Sequence, residues 1–596
     1  MSGPTTSTAT VGGSEPGPDG AVMRRSTLGI VSTVAVAVCL IAVGLFEGRH
    51  IWFFADEWNV FGNYPQGELL KPFNGHLSLI PVGIYQVLYA TFGVGSHLPF
   101  RIAGLAALAV LAFQIARYTR ARLGWTAAAL AVGAVLWNSA GSSNVLFPFL
   151  LNFTIPLAAM YAIWWHMDRG DDSAVEGRSR TRSDVAAAIW LAVALASSAL
   201  GIMVLIAVVV ELALRRAPLR RWLTFSPGVL LWAAWYATNR ENSKVSTDPG
   251  AVVAYAWRML LGATTSLAAG WTPGGAVLAA GFVVLLAVAA WRWRTVDARA
   301  LAALSAPIVF IGVTTVTRLP IIPYIPPDEL RYAWTVALYL VAVVIAVWPR
   351  RRGSTAGLVA DRAVDPDVAI PLARSARTAA VAVTSIVLVV GAVVLVDGMR
   401  DWAGMVRSAT PGVRAALFAA EAVGADRGDQ DVVLPLSYVP VSNGEYLHGV
   451  DSVGSPIAGM NPQAFAFPAG RADQVRTADA LLVDQLPIGG SAEHPAACPS
   501  IAAEASSEPE VIDVPDGSWV LLSPNSSDDL TRLSVLVARF AGPSDGRPVE
   551  IDVTNGVGWM HIPADAGELD GASVPYRIVV PAGVSVCVMP DPMPEP

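Results

Sequence analysis

Residues 27–46 read TLGIVSTVAVAVCLIAVGLF, and the chain then runs into Trp52-Phe53-Phe54-Ala55-Asp56-Glu57-Trp58. An uncharged apolar run of about 20 residues predicts a helix that crosses a bilayer, because that length at 1.5 Å per residue matches the hydrocarbon core. Arg24 and Arg25 precede it, and the Gly-, Ser-, Thr- and Pro-rich residues 1–23 predict a disordered tail. A cleaved signal peptide also starts with basic residues and an apolar run. The lack of a small-x-small site before Trp52, and the many apolar runs that follow, favour an anchored helix.

Outward from this segment, further spans are expected at roughly 99–116, 125–141, 147–166, 185–199, 200–214, 223–238, 275–291, 300–317, 332–348 and 378–396. The 185–214 run folds into a hairpin at Ser197-Ser198. Two apolar stretches, 77–94 and 252–270, carry Pro or polar residues and are expected to lie on the membrane surface. The composition agrees: of 596 residues 54% are hydrophobic and only 15% charged, against about 25% charged in soluble domains. Disorder and an ordinary soluble domain are excluded. The expected fold is an all-α polytopic membrane domain of about 11 transmembrane helices, residues 24–397 with a first outer loop at 47–98, followed by an α+β, β-rich domain at 398–596.

Charge orients this architecture. Residues 398–596 hold 10 Arg, no Lys and 26 Asp and Glu, a net −16, so the overall −7 leaves +9 on the first 397 residues. Short cytoplasmic loops collect Lys and Arg. With the N-terminus inside, the clusters Arg117/Arg120/Arg122, Arg178/Arg180/Arg182, Arg215/Arg216/Arg220/Arg221 and Arg350/Arg351/Arg352 all fall on the cytoplasmic side. The expectation is a multi-pass plasma-membrane protein with an extracytoplasmic C-terminal domain. A −16 charge there argues against nucleic acid or anionic headgroups as partners of that domain.

Cys39 lies in the first span, whereas Cys498 and Cys587 are the two cysteines of the exported domain, where a disulfide between them is expected to form and persist, the alternative being two unpaired thiols. In that domain Gly412–Gly424 reads as an amphipathic helix and Asp431–Val441 as a strand. The alternating, β-branched stretches Gly517–Leu522, Leu533–Phe540, Val549–Val553 and Tyr576–Val588 predict a small β module such as a sandwich. No zinc spacing, phosphate-binding glycine loop, nucleophile elbow or calcium loop is present in it.

Chemistry is therefore sought in the outer loops. Asp56 and Glu57 sit among Trp52, Phe53, Phe54 and Trp58, just beyond the first span, and the loop continues as Lys71-Pro72-Phe73-Asn74-Gly75-His76. Carboxylates in a partly dry aromatic setting suit a general base, because desolvation raises a carboxyl pKa. The same residues also fit a solvated acidic pair beside an interfacial aromatic belt.

The segment resembles the first extracytoplasmic loop of the GT-C superfamily of integral-membrane glycosyltransferases, which includes protein O-mannosyltransferases and lipid A aminoarabinose transferases. The resemblance rests on Asp56-Glu57, His76-Leu77-Ser78-Leu79-Ile80-Pro81, Phe92-Gly93-Val94 and Phe100-Arg101-Ile102, in that order, and covers roughly residues 27–125. It departs where Leu77-Ser78 replace a double proline, which leaves the substrate subfamily open. It implies a donor sugar on a polyprenyl phosphate and an envelope glycan, lipid or protein as acceptor. It also implies an inverting attack in which a loop carboxylate deprotonates the acceptor hydroxyl.

Under that resemblance Asp56 is the expected base and Glu57 the second choice, since adjacent side chains in an extended loop point to opposite sides. The leaving phosphate needs a cation. Arg318, Arg331 and Tyr332 bracket the last large outer loop and, with Lys71, His76 and Arg101, form the expected substrate-binding set. Arg318 and Arg331 also fit interfacial snorkelling. Two carboxylates offer a start for a divalent metal, without a third ligand at a recognisable spacing, and no other cofactor is expected. Two further classes remain: a transporter or flippase of lipid-linked envelope precursors, and a non-catalytic membrane anchor whose outer domain binds envelope partners.

Overall fold

The computed structural model describes residues 18–64, 67–239, 248–319, 330–348, 374–423, 443–457, 483, 486, 488–490, 506–515, 517–524, 532–539, 546–553, 557–562 and 575–590. Helices follow in the order α1 (Pro18–Glu47), α2 (Asp56–Asn63), α3 (Leu79–Phe92), α4 (Leu98–Leu123), α5 (Trp125–Leu136), α6 (Ser142–Leu146), α7 (Leu151–Val175) and α8 (Thr181–Leu195). Then come α9 (Leu200–Leu214), α10 (Leu219–Asn239), α11 (Pro249–Leu267), α12 (Thr272–Trp291), α13 (Ala298–Arg318), α14 (Leu330–Val347), α15 (Arg374–Val423) and α16 (Asn443–Val453). Strands are β1 (Ile488–Gly490), β2 (Glu510–Val514), β3 (Ser518–Pro524), β4 (Arg532–Ala538), β5 (Arg547–Asp552), β6 (Gly558–Ile562), β7 (Tyr576–Val580) and β8 (Val584–Pro590).

Among the described residues seven helices are long and apolar enough to cross a membrane: Thr27–Glu47, Leu98–Leu123, Pro148–Val175, Thr272–Trp291, Ala298–Arg318, Leu330–Val347 and Val381–Ser408. The other four expected spans fall on α5, α8, α9 and α10. The first three of these are short, and α10 is long enough but carries Pro227 among several polar residues. The expected surface stretches are α3 and α11. Helix α1 begins at Pro18, so residues 18–23, expected in the disordered tail, are helical; Pro18 suits a first helical turn and no proline follows it within the helix.

The chain divides into two compact units. The first, residues 1–46, 105–145 and 150–399, is the helical bundle. Its breaks follow local rules. Gly124, at φ 88°, takes the left-handed conformation that stops α4 before α5 begins. Asp248 caps α11 by accepting from Gly250 N at 2.9 Å, with Pro249 in the first turn. The turn at Ser197-Ser198 separates α8 from α9, and Ser198 Oγ donates to Asn152 O at 2.7 Å. Helix α14 is buried over most of its length against α5, α11 and α13.

The arginines expected in solvated loops partly turn inward. Arg299 is fully buried and grips the equally buried Glu211 through Nε and Nη2 at 2.5 and 2.7 Å. Its Nη1 reaches Asp168 at 3.1 Å, and Asp168 also holds Arg122 at 3.0 Å. Arg215 adds a 3.0 Å contact to Glu211, and Arg221 pairs with Asp184 at 3.1 Å. This network joins α4, α7, α8, α9, α10 and α13 at one end of the bundle. Helix-end arginines pair here because their own bundle supplies buried carboxylates, which the residue pattern of any one loop does not reveal.

The second unit, residues 47–104, 146–149 and 400–596, holds the first outer loop and the C-terminal region. Helix α15 runs without interruption from Arg374 to Val423, so the expected amphipathic helix at 412–424 is the continuation of the last span. The expected strand at 431–441 lies outside the described residues. Further on, two antiparallel four-stranded sheets form, ordered β1-β6-β3-β8 and β2-β7-β4-β5. Alternation buries Val520, Leu522, Met560 and Ile562 from one sheet and Val535, Val537, Ile551 and Ile578 from the other. The sheets approach closely where a Cβ on Gly558 would stand 2.4 Å from Ile551. The single stretch expected at 576–588 is two strands, β7 and β8, separated at Gly583 (φ 81°) and placed in different sheets. Cys587 on β8 is disulfide-bonded, and its expected partner Cys498 lies outside the described residues.

Candidate active site

The loop after α1 folds around one carboxylate. Ala55 precedes α2 at φ 47°, ψ −117°, a left-handed conformation uncommon for a residue with a Cβ. It aims Asp56 and Glu57 into the first helical turn, where backbone N–H groups favour negative charge. The pair expected on an extended loop is therefore helical, with the two side chains about 100° apart around the axis. Glu57 is fully buried. Its carboxylate accepts from Tyr85 Oη at 2.5 Å, from Phe54 N at 3.0 Å, and lies 3.1 and 3.2 Å from His97 Nε2. Tyr89 Oη donates to the Glu57 carbonyl at 3.4 Å. One side chain thus ties α2 to α3 and to the start of α4.

The aromatic residues of the motif form a core. Trp52, Phe53 and Trp58 are buried at 5%, 4% and 1% exposure, which differs from a surface belt. Phe53 packs edge-on against Trp58, His97 and Phe100, with centroids 5.7, 4.9 and 5.1 Å away. Phe54 meets Trp402 at 5.4 Å, and Trp58 and Phe61 meet Tyr446 of α16. Burial pushes the Tyr85 and Tyr89 hydroxyls well above the usual phenol range, and the neighbouring Glu57 charge adds to it. Both remain protonated donors at neutral pH. Asp56 is half-buried beside this core.

The other expected residues are distributed as follows. Lys71 is exposed, pairs with Glu68 at 3.1 Å and stands over the Tyr64 ring at 5.2 Å. His76 closes a two-residue turn: Asn74 and Gly75 have φ 50° and 75°, and Phe73 and His76 exchange backbone hydrogen bonds of 2.9 and 3.0 Å. Arg101 is buried at 7% exposure, and its Nε and Nη1 have no hydrogen-bond partner. These residues, with Asp56 and Glu57, belong to the second unit. Arg318, Arg331 and Tyr332 belong to the first. Arg318 closes the last turn of α13, Arg331 stands 5.3 Å over the Tyr332 ring, and Tyr332 is buried against Phe153 and Phe310. The loop 320–329 between them lies outside the described residues.

Sequence reasoning missed Tyr85, Tyr89 and His97. The signal was present, because His97 stands between the quoted Phe92-Gly93-Val94 and Phe100-Arg101-Ile102 motifs. For a divalent ion the donor set does not fit: both Glu57 oxygens are already engaged, and no group of three His, Cys, Asp or Glu able to hold a metal occurs among the described residues.

The chain is a polytopic membrane protein with a β-rich C-terminal region and an acidic first loop folded on an aromatic core. It is similar to the crystal structure of ArnT from Cupriavidus metallidurans bound to undecaprenyl phosphate, at 16% identity over 73% of this chain and 88% of that one, with a TM-score of 0.42. It is also similar to apo ArnT from the same organism, at 17% identity over 67% and 81% of the two chains, with a TM-score of 0.40. No protein-family profile matches the chain, and no curated protein sequence does.

Proposed function

We propose that the protein is a membrane glycosyltransferase that moves a sugar from a polyprenyl-phosphate carrier to a cell-envelope acceptor on the outer face. The observation that carries this reading is the division of labour in the Asp56-Glu57 pair. Glu57 is enclosed by Tyr85, His97 and Phe54 N, out of reach of an acceptor, and fixes the helix start that presents the half-buried Asp56. Asp56 is the base. It takes the acceptor hydroxyl proton as that oxygen bonds to the anomeric carbon and the bond to the carrier phosphate breaks, so the configuration inverts and polyprenyl phosphate leaves.

The leaving phosphate needs donors at the developing charge. Arg101 supports this role, because a buried guanidinium with two nitrogens left without partners is an unusual arrangement unless an anion completes it. Arg331 and Tyr332, opening α14, are proposed to contact the carrier as well, with Arg318, Lys71 and His76 as outer contacts. Topology in this reading keeps the N-terminus cytoplasmic and residues 398–596 outside.

The test is transfer of labelled sugar from polyprenyl phosphate in membrane vesicles. Asp56→Asn should lose transfer by 10²-fold or more, on the order of a general base's contribution, while folding normally. Full activity in Asp56→Asn ends the assignment. Labelled lipid that changes leaflet with no sugar moved would replace the transferase by a flippase. A cysteine-labelling scan of residues 353–376 from the cytoplasmic side checks the orientation.

A further inference from the structure

A cavity of about 1760 Å³ opens among α1, α4 and α7 at the arginine-rich end of the bundle. One wall is apolar, made by Ile30, Val34, Val38 and Ile41 of α1 and Phe113 of α4. Three of these, Val34, Val38 and Phe113, are 55%, 56% and 59% exposed, which is costly in water and natural against hydrocarbon. The far end carries arginines of two kinds. Arg122 and Arg215 also line it, but both are engaged, with Asp168 and with Asp171 and Glu211, while the exposed Arg120 lies over a different ring, that of Trp125, at 4.5 Å.

Arg117 and Arg169 differ: neither has a carboxylate partner among the described residues. The two guanidinium groups lie over the same indole, that of Trp165, at 3.7 and 4.8 Å from its centroid. Arg117 Nε and Nη2 are buried and make no hydrogen bond. Two like charges gathered on one ring, one of them with donors unmet, call for an anion between them. The five lining carboxylates do not supply it: Asp168 and Asp171 hold arginines, Glu176 pairs with Arg178, Asp297 accepts from Arg299 N at 2.8 Å, and Asp172 forms no ion pair with Arg117 or Arg169. The volume exceeds the roughly 300–1,000 Å³ of small-ligand pockets, and the apolar wall continues along the first span.

We propose that this cavity binds an anionic membrane lipid, its phosphate headgroup on Arg117 and Arg169 and its hydrocarbon chain along α1 and α4. The site is independent of the transferase reading and uses none of its residues.

Native mass spectrometry of the purified full chain, titrated with dioleoyl phosphatidate, tests it. Phosphatidate adducts should form and be at least tenfold weaker in Arg117→Gln/Arg169→Gln. Arg182→Gln, an exposed arginine outside the cavity, should bind as wild type. Val38→Trp, which fills the apolar wall and leaves both arginines in place, should weaken phosphatidate by a similar factor and carries the test if the double variant does not fold. Equal retention of dioleoyl phosphatidylcholine overturns the proposal, as does wild-type phosphatidate binding in Arg117→Gln/Arg169→Gln or in Val38→Trp. Displacement of the lipid by excess inorganic phosphate also overturns it, because the site would then recognise phosphate alone.

Discussion

The two units each bury a carboxylate completely, and they satisfy it in opposite ways. In the bundle Glu211 is held by Arg299 and Arg215, with Asp168 and Arg122 completing a charged network. In the loop unit Glu57 is held by a tyrosine hydroxyl, a backbone N–H and an imidazole. A guanidinium lock is rigid and intolerant, because removing one partner strands another charge in a dry interior. A shell of hydroxyl, amide and imidazole is weaker per contact but sets geometry by direction. The first arrangement suits the fixed end of a helix bundle. The second suits the scaffold that the proposed function calls for, one that holds the neighbouring Asp56 in one orientation.

The comparison breaks most sharply at Arg299. Arg299→Leu leaves Glu211 without its bidentate partner and should cost about 3–5 kcal/mol, read as a large fall in the thermal midpoint of the purified protein or as loss of folded material. Glu57→Ala is the matching cut in the other unit. It leaves Tyr85 Oη, buried with its donor unmet, and should cost about 1–3 kcal/mol, with transfer lost because Asp56 is no longer oriented. A Glu57→Ala protein as unstable as Arg299→Leu would erase the distinction between the two shells.

Tyr85→Phe removes one donor and leaves the others. The expected loss is about 1.5–3 kcal/mol, the range for a hydrogen bond to a charged group, near the lower end because Phe54 N and His97 remain. Transfer should fall less than in Asp56→Asn. If Tyr85→Phe abolished transfer with the thermal midpoint unchanged, Tyr85 itself would belong to the chemistry.

The bundle and the acidic loop were legible because both are written in consecutive residues. Thr27–Phe46 announces a helix by composition, and the β-branched stretches near 518–524 and 532–538 announce strands by alternation. The partners of Glu57 were not legible, since Tyr85 and His97 are 28 and 40 residues away and no local pattern links them. The same holds for Arg299 and Glu211, 88 residues apart. By residue type Asp56-Glu57 predicts an extended loop, because a short polar stretch between apolar ones looks like one. The left-handed Ala55, which starts a helix there, has no signature in residue type.

A half-buried carboxylate gives the finest test of the contrast. Glu421, near the end of α15, accepts from Tyr446 Oη and from Ser455 Oγ at 2.8 Å, so its shell, like that of Glu57, contains no guanidinium. Burial raises its pKa above the usual carboxyl value, and the two hydrogen bonds pull it back only in part. A carboxyl that binds its proton more tightly folded than unfolded adds stability on protonation. The gain is complete below the unfolded carboxyl value and is lost as pH rises through the raised folded value. The wild-type thermal midpoint should therefore gain, between neutral and mildly acidic pH, an increment that Glu421→Gln lacks, because the amide never titrates. Other carboxylates titrate in both proteins, so the readout is the difference between the two profiles. Parallel profiles would mean that the Tyr446 and Ser455 hydrogen bonds offset the burial completely, and that a neutral shell can hold a carboxylate at no cost to folding.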